Sequence, residues 1–346
     1  MEWWNNPVPQ PRAQALEAAG VRQQQLTKPP GSLGELERLA VQFAGWQDRS
    51  APRVENVQIR IFAGDHGVVA EGVSAFPQAV TVQMIQNFAA GGAAIAVLAR
   101  HCDADFSVVN MGTAIPAPEI PGVVNVQLAP GTENFCSAPA MSDAVVRAAL
   151  ACGAEHAPHE GDIFIGGEMG IGNTTAAAAL TSALLDLPVD TTVGRGTGID
   201  DRGLVLKRDA VQRALERHRH TTDTALDILR CLGGLEIAAL AGAYVACAQR
   251  GIPVLVDGYI CTAAALLACR FNPGVRAWML FAHQSTEPGH RNLLQALDAT
   301  PLLDIGMRLG EGSGAAVVVS LLQSACRLHN EMATFAEAGV STGESS

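Results

Sequence analysis

An α/β fold, with a parallel sheet flanked by helices, is predicted by three observations on these 346 residues. Short β-branched runs alternate with stretches rich in Ala and Leu, the alternation of strands and crossover helices. Most of the runs are apolar throughout, as strands buried on both faces should be. A glycine or polar turn follows each run, so the 35 glycines gather where strands hand over to helices.

In chain order the strands are VQIRIFA (57–63), FSVVNMG (106–112), DIFIGG (162–167), IPVLVDG (252–258) and AWMLFAH (277–283). Val, Ile and Phe dominate them and suit a pleated, buried surface. Helices are expected over 79–100, 142–154, 174–185, 203–217, 235–250 and 261–270, where small side chains let a helix lie close on a sheet. The first thirty residues, richer in Gln, Pro and Trp, predict a leading helix and an irregular link. Residues 313–337 predict an apolar helix, and the polar tail AGVSTGESS (338–346) is expected to fray. The two ends can pair into a small helical appendage on the α/β body.

Composition narrows the function. Hydrophobic residues make up 48% of the chain, too many for disorder. A net charge of −11 argues against a long footprint on nucleic acid or an anionic membrane, so any phosphate must be held locally. The eight cysteines are scattered with no C-x-x-C, the pattern of reduced core thiols. No uninterrupted apolar run reaches about 18 residues and no signal-peptide pattern opens the chain, which leads us to expect a soluble cytoplasmic protein.

Ligands of an open parallel sheet bind beyond the carboxyl ends of its strands, and those turns are polar here. They are GDHGVVAEGVSAFP after the first strand, GGEMGIGNTT after the third, DGYICT after the fourth and HQSTEPGH after the fifth. One sheet edge would thus gather Asp65, His66, Glu168, Asn173, Thr174, Thr175, Asp257, Gln284 and Ser285. The segment from Gly167 nearly spells a nucleoside-triphosphate loop, but Asn173 stands where that loop needs lysine. Glycines and helix-start amides still suit a monophosphate. A second glycine turn, GRGTGIDD from Gly194, precedes a helix carrying Lys207 and could complete the site. Ordinary tight strand-to-helix turns are the plain alternative for each.

Glu311, between Gly310 and Gly312, reads either as a helix-start acid or as a general base with a desolvated carboxylate. Glu168 is a second candidate base, with helix capping as its plainer role. GDHG invites a metal site of Asp65 and His66, joined by His283 and His290. The spacing lacks H-x-x-x-H and H-E-x-x-H, so structural hydrogen bonding is favoured and no metal or cofactor is expected.

Taken in order, seven motifs resemble those of the nicotinate-nucleotide–dimethylbenzimidazole phosphoribosyltransferase family of cobalamin biosynthesis. They are LTKPPGSLGELERLA (26–40), FAGDHGVVAEGVSAFP (62–77), GEMGIGNTT (167–175), GRGTGID (194–200), VDGYICTAAALLA (256–268), HQSTEPGH (283–290) and RLGEGSGAA (308–316). The resemblance runs from about residue 5 to about residue 330 and implies a Rossmann-like sheet. It also implies a small helical domain of residues 1–30 plus 318–346 beside a large catalytic domain of 31–317, assembled as a homodimer. The implied reaction moves the phosphoribosyl group of nicotinate mononucleotide to a benzimidazole nitrogen, releasing nicotinate. By resemblance, Glu311 is the general base, and Ser74, Phe76, Gln83, Met84 and Leu309 form the aromatic pocket. Gly170, Gly172, Asn173, Thr174 and Thr175 hold phosphate, with Gly196, Thr197, Lys207, Asp257, Gln284 and Ser285 near the nucleotide. Glu168 and Lys207 assist by holding a water or the sugar. The competing readings are a metal-dependent hydrolase or NTPase built on GDHG and the degenerate loop, and a non-catalytic nucleotide or benzimidazole carrier.

Overall fold

The runs that are apolar on both faces become the centre of a parallel sheet. The computed structural model describes residues 2–196 and 198–341. Its strands are β1 (Val57–Gly64), β2 (Asp105–Gly112), β3 (Val123–Asn125), β4 (Ile163–Met169), β5 (Val254–Val256), β6 (Met279–His283) and β7 (Pro301–Leu303), in the order β3-β2-β1-β4-β5-β6-β7. β1 lies between β2 and β4, with Ile59 opposite Phe106 on one side and Ile165 on the other. The order of connections reverses at β1/β4, the position where such sheets open a crevice. The three-residue edge strands β3 and β7 were not expected. They are too short to show a period and exist because β2 and β6 offer them open edges.

The helices are α1 (Ala13–Gln25), α2 (Glu35–Gln47), α3 (Ala79–Ala89), α4 (Ala94–His101), α5 (Asp143–His156), α6 (Asn173–Leu185) and α7 (Asp201–His218). They continue with α8 (Ala225–Leu232), α9 (Leu235–Gln249), α10 (Tyr259–Phe271), α11 (Pro288–Ala296), α12 (Ser313–Glu331) and α13 (Phe335–Ala338). The single helix expected over 79–100 is two, because Gly91 and Gly92 break it. By length and composition alone 79–101 could cross a membrane, yet both halves pack on the sheet, α3 against β1 and β2 and α4 against β2.

Helix α9 is buried from Leu235 to Ala248. It reaches α5 through reciprocal glycines: a Cβ on Gly153 would strike the Ala239 backbone, and one on Gly242 the Leu150 backbone. All eight cysteines are free, six of them buried.

The two chain ends meet. α2 packs on α1 and on α12, Leu26 bridges Thr334 antiparallel, and the Arg22 guanidinium donates to the His329 carbonyl at 2.8 Å. α2 therefore touches helices of both chain ends and also the body, where Trp46 Nε1 donates to the Ala277 carbonyl at 2.9 Å and the Trp46 ring stacks on Trp278. The first half of α12 rests on β4 and β6, so one helix serves both regions.

Candidate active site

The carboxyl ends of β4, β5 and β6 open on a cavity of about 310 Å³, the lower end of the range for small-molecule sites. Phe76, Val80, Met84, Met169, Ile260 and Leu309 supply an apolar wall, and Glu168, Asn173, Asp257, Ser285, Glu287 and Glu311 face it.

Glu311 is presented by an unusual backbone. Gly310, Glu311 and Gly312 have φ of 83°, 64° and 77°, three successive left-handed residues of which only the glycines are at ease. The turn is locked from outside. A Cβ on Gly310 would strike Glu168 Oε1, and one on Gly167 the Glu311 backbone. Strain held by its surroundings in this way is characteristic of functional sites.

The start of α12 is satisfied by Asp257, whose carboxylate accepts from the Ala315 amide at 2.8 Å and the Gly312 amide at 3.2 Å. The helix-start role open to Glu311 thus belongs to a residue on another strand end. Glu311 Oε2 is buried without a partner. Burial, and then the Asp257 charge, raise the Glu311 carboxyl to about 7. Glu168 behaves differently. Asn173 Nδ2 donates to its Oε2 and the Glu311 amide to its Oε1 at 3.4 Å, while complete burial followed by the charges of Asp257 and Glu236 pushes its carboxyl well above the usual range. Burial shifts both carboxyls upward, but Glu168 has donors on both oxygens whereas Glu311 keeps one oxygen without a partner, so the two meet the cavity in different states of hydrogen bonding.

Beyond Glu168 the chain enters α6 through Gly170 and Gly172. A Cβ on Gly170 would strike the Gly64 carbonyl, and Gly172 has φ 101°. A smaller recess beside this loop is lined by Ser74, Gly170, Gly172, Asn173, Thr174 and Lys207. Lys207 Nζ donates to Thr174 Oγ1 at 2.8 Å, and burial lowers its ammonium to about 8. The Gly196 amide donates to Glu287 Oε1 at 3.0 Å, which joins the second glycine turn to the β6 turn.

Among the expected residues, Phe76, Met84, Glu168, Gly170, Asn173, Thr174, Gly196, Asp257, Ser285, Leu309 and Glu311 come together around the cavity, and Ser74, Gly172 and Lys207 around the adjoining recess. Three do not reach it. Gln83 is exposed on α3, because Val80 and Met84, one turn apart, form the inward face. Gln284 turns to the β7 side, where its amide reaches Asp304 at 3.4 Å. Thr175 is buried inside α6. Thr197 lies outside the described residues. Sequence reasoning missed Val80, Glu287 and Arg308 as lining residues; the i,i+4 spacing of Val80 to Met84 was the available signal.

The GDHG residues turn inward. His66 Nε2 meets Glu236 Oε1 at 2.7 Å with both side chains fully buried, and the Asp65 carboxylate accepts from Thr81 Oγ1 at 2.6 Å and the Ala114 amide at 2.9 Å. His290 accepts from the Ser285 amide at 2.8 Å. Among the described residues no three His, Cys, Asp or Glu side chains are grouped to hold a metal ion. The hydrolase reading of GDHG therefore gains nothing from the geometry.

Comparison with known proteins agrees with this chemistry. A family model described as phosphoribosyltransferase matches residues 8–340. A nicotinate-nucleotide–dimethylbenzimidazole phosphoribosyltransferase of Pseudomonas fluorescens is 57% identical over 342 residues, 98% of this chain and 97% of its own. One of Pseudomonas aeruginosa is 56% identical over 345 residues, 99% and 98% of the two chains. The crystal structure of the protein so named from Thermus thermophilus superposes with a TM-score of 0.90 at 44% identity, covering 96% of this chain and 100% of that one.

Proposed function

This chain belongs to the nicotinate-nucleotide–dimethylbenzimidazole phosphoribosyltransferase family, and from that premise we propose that it transfers the phosphoribosyl group of nicotinate mononucleotide to 5,6-dimethylbenzimidazole. The products are α-ribazole 5′-phosphate and nicotinate. The observation that carries the reading is the pair Glu168 and Glu311, two buried carboxyls, one with donors on both oxygens and one with an unpartnered oxygen, on the wall of a cavity with one apolar side.

The pyridinium nitrogen of the substrate already carries positive charge, so the C1′–N bond breaks with its electron pair leaving on nicotinate. A benzimidazole nitrogen supplies the new pair to C1′ from the opposite face, which inverts the anomeric carbon. The second ring nitrogen, acidified as positive charge enters the ring, passes its proton to Glu311. A desolvated carboxylate titrating near 7 is matched to that task at neutral pH. Phe76, Val80, Met84 and Leu309 admit a flat bicyclic base, and the glycine loop with Lys207 receives the phosphate. Glu168, whose carboxyl burial pushes upward, lines the cavity beside Asn173, where it can hold the ribose or a water. Much of the rate enhancement would come from holding two weakly reactive partners in line.

Incubating the purified protein with nicotinate mononucleotide and dimethylbenzimidazole and assaying free nicotinate tests the assignment. Nicotinate release that requires the base supports it, and its absence overturns it.

We also propose that the helices of the chain ends form a separate small domain and that the protein is a cytoplasmic homodimer. Leu309 and Phe76, at 58% and 46% exposure, put apolar surface at the cavity, as an interaction face would. Sedimentation at micromolar concentration tests the dimer.

A further inference from the structure

The GDHG motif and Thr81 do not touch the cavity, yet they connect its two halves. Thr81 lies on α3 between Val80, which lines the apolar wall, and Val82, with Met84 one turn on. Its hydroxyl is fully buried, accepts from the Ile171 amide of the glycine loop at 3.2 Å and donates to Asp65 Oδ1 at 2.6 Å. Asp65 is in turn fixed at the end of β1. Its other oxygen accepts from the Ala114 amide at 2.9 Å, its carbonyl from the Thr132 amide at 2.9 Å, and its own amide donates to the Gly112 carbonyl at 2.9 Å. One hydroxyl therefore spans the helix that shapes the aromatic wall, the loop that shapes the phosphate site and the rigid end of the central strand.

We propose that Thr81 is a positioning residue, anchored by Asp65, that sets the distance between the aromatic-base wall on α3 and the glycine loop around Ile171. The inference rests on the phosphoribosyltransferase reading of the cavity. In that reaction the base stacks on residues of α3 while the phosphoribosyl group is held by the loop, and the reacting nitrogen and C1′ must meet in line. A small relative displacement of the two walls leaves each substrate its own contacts but spoils their mutual alignment, a loss that falls on kcat more than on either KM. Thr81→Val keeps the shape of the side chain and removes the hydroxyl. It leaves the Asp65 oxygen and the Ile171 amide without their shared partner.

The test is steady-state kinetics with nicotinate mononucleotide and dimethylbenzimidazole on wild type, Thr81→Val, Thr81→Ser and Asp65→Asn, with rates normalised to folded protein by thermal melting. For Thr81→Val we expect kcat to fall by about 10- to 100-fold, with both KM values within about threefold of wild type. Thr81→Ser, which keeps the hydroxyl, should restore kcat to within about threefold, and the double variant Thr81→Val/Asp65→Asn should be no slower than the slower of its two single variants. A role in stability alone lowers the melting temperature and leaves kcat per folded molecule unchanged, and that result overturns the proposal. So does a Thr81→Ser variant as slow as Thr81→Val. If Thr81→Val does not fold, a slow Asp65→Asn beside a normal Thr81→Ser supports the proposal, and an Asp65→Asn with wild-type kcat overturns it. Wild-type protein inactive with these substrates would instead sink the functional reading on which the inference rests.

Discussion

The turn after β1 and the turn before α12 look alike in sequence: each sets a buried acid among glycines at one sheet edge, Asp65 in GDHG and Glu311 in GEGSG. Their surroundings separate them. The Asp65 carboxylate has donors on both oxygens, and the adjacent His66 is paired with Glu236. Glu311 keeps one oxygen unpartnered at the wall of a cavity. With donors on both oxygens Asp65 belongs to a frame, whereas the unpartnered oxygen of Glu311, on a residue that lines the cavity, suits it to act as a reagent.

The contrast is sharpest in activity. Glu311→Ala should lower kcat by about 10²–10⁴ while nucleotide affinity, read by titration calorimetry, stays near wild type. Full activity in that variant would erase the distinction. On the framing side, Glu236→Ala removes the buried hydrogen-bond partner of His66 and should cost about 1–3 kcal/mol in a denaturant melt, with kcat of the folded molecules falling far less than in Glu311→Ala. A variant of unchanged stability would show that the pair is no frame.

The sign of the Glu311 contribution to stability provides a third test. Its carboxyl titrates at about 7 when folded against about 4.5 ordinarily, so across that window the native state holds a proton that the unfolded chain has released. Stability from this group is therefore full below the lower value and lost as pH rises through the upper one. Glu311→Gln should consequently be more stable than wild type at pH 8, by on the order of 2 kcal/mol in urea, although it is catalytically impaired. The smallest effect is kinetic: kcat/KM should fall about tenfold per pH unit below about 7 as the base protonates, and in Glu311→Gln that limb should vanish.

Much of the frame was legible because burial on both faces leaves an apolar run, which identifies β1, β2 and β4 directly. β3 and β7 carry no such mark, since a neighbour's open edge makes them strands. The glycines beside Glu311 pointed to its exposure to a ligand, but nothing local could say that Asp257 would take the start of α12, because the two are joined only by the sheet. Gln83 and Gln284 lie on the expected elements, but their side chains are not among those lining the cavity. A motif gives an element's position in the chain, whereas a side chain's direction depends on what packs against its neighbours.

The bridge between Leu26 and Thr334 bears on how the protein is born. Leu26 leaves the ribosome 308 residues (334 − 26) before Thr334, so the nascent chain carries an open seam over the whole of that interval. Helix α12 docks on the sheet only after all seven strands have been made, and Glu311 is the last carboxyl of the cavity to be synthesised. The cavity is thus complete only once Glu311 has followed the last strand out, and the Leu26–Thr334 seam closes later still.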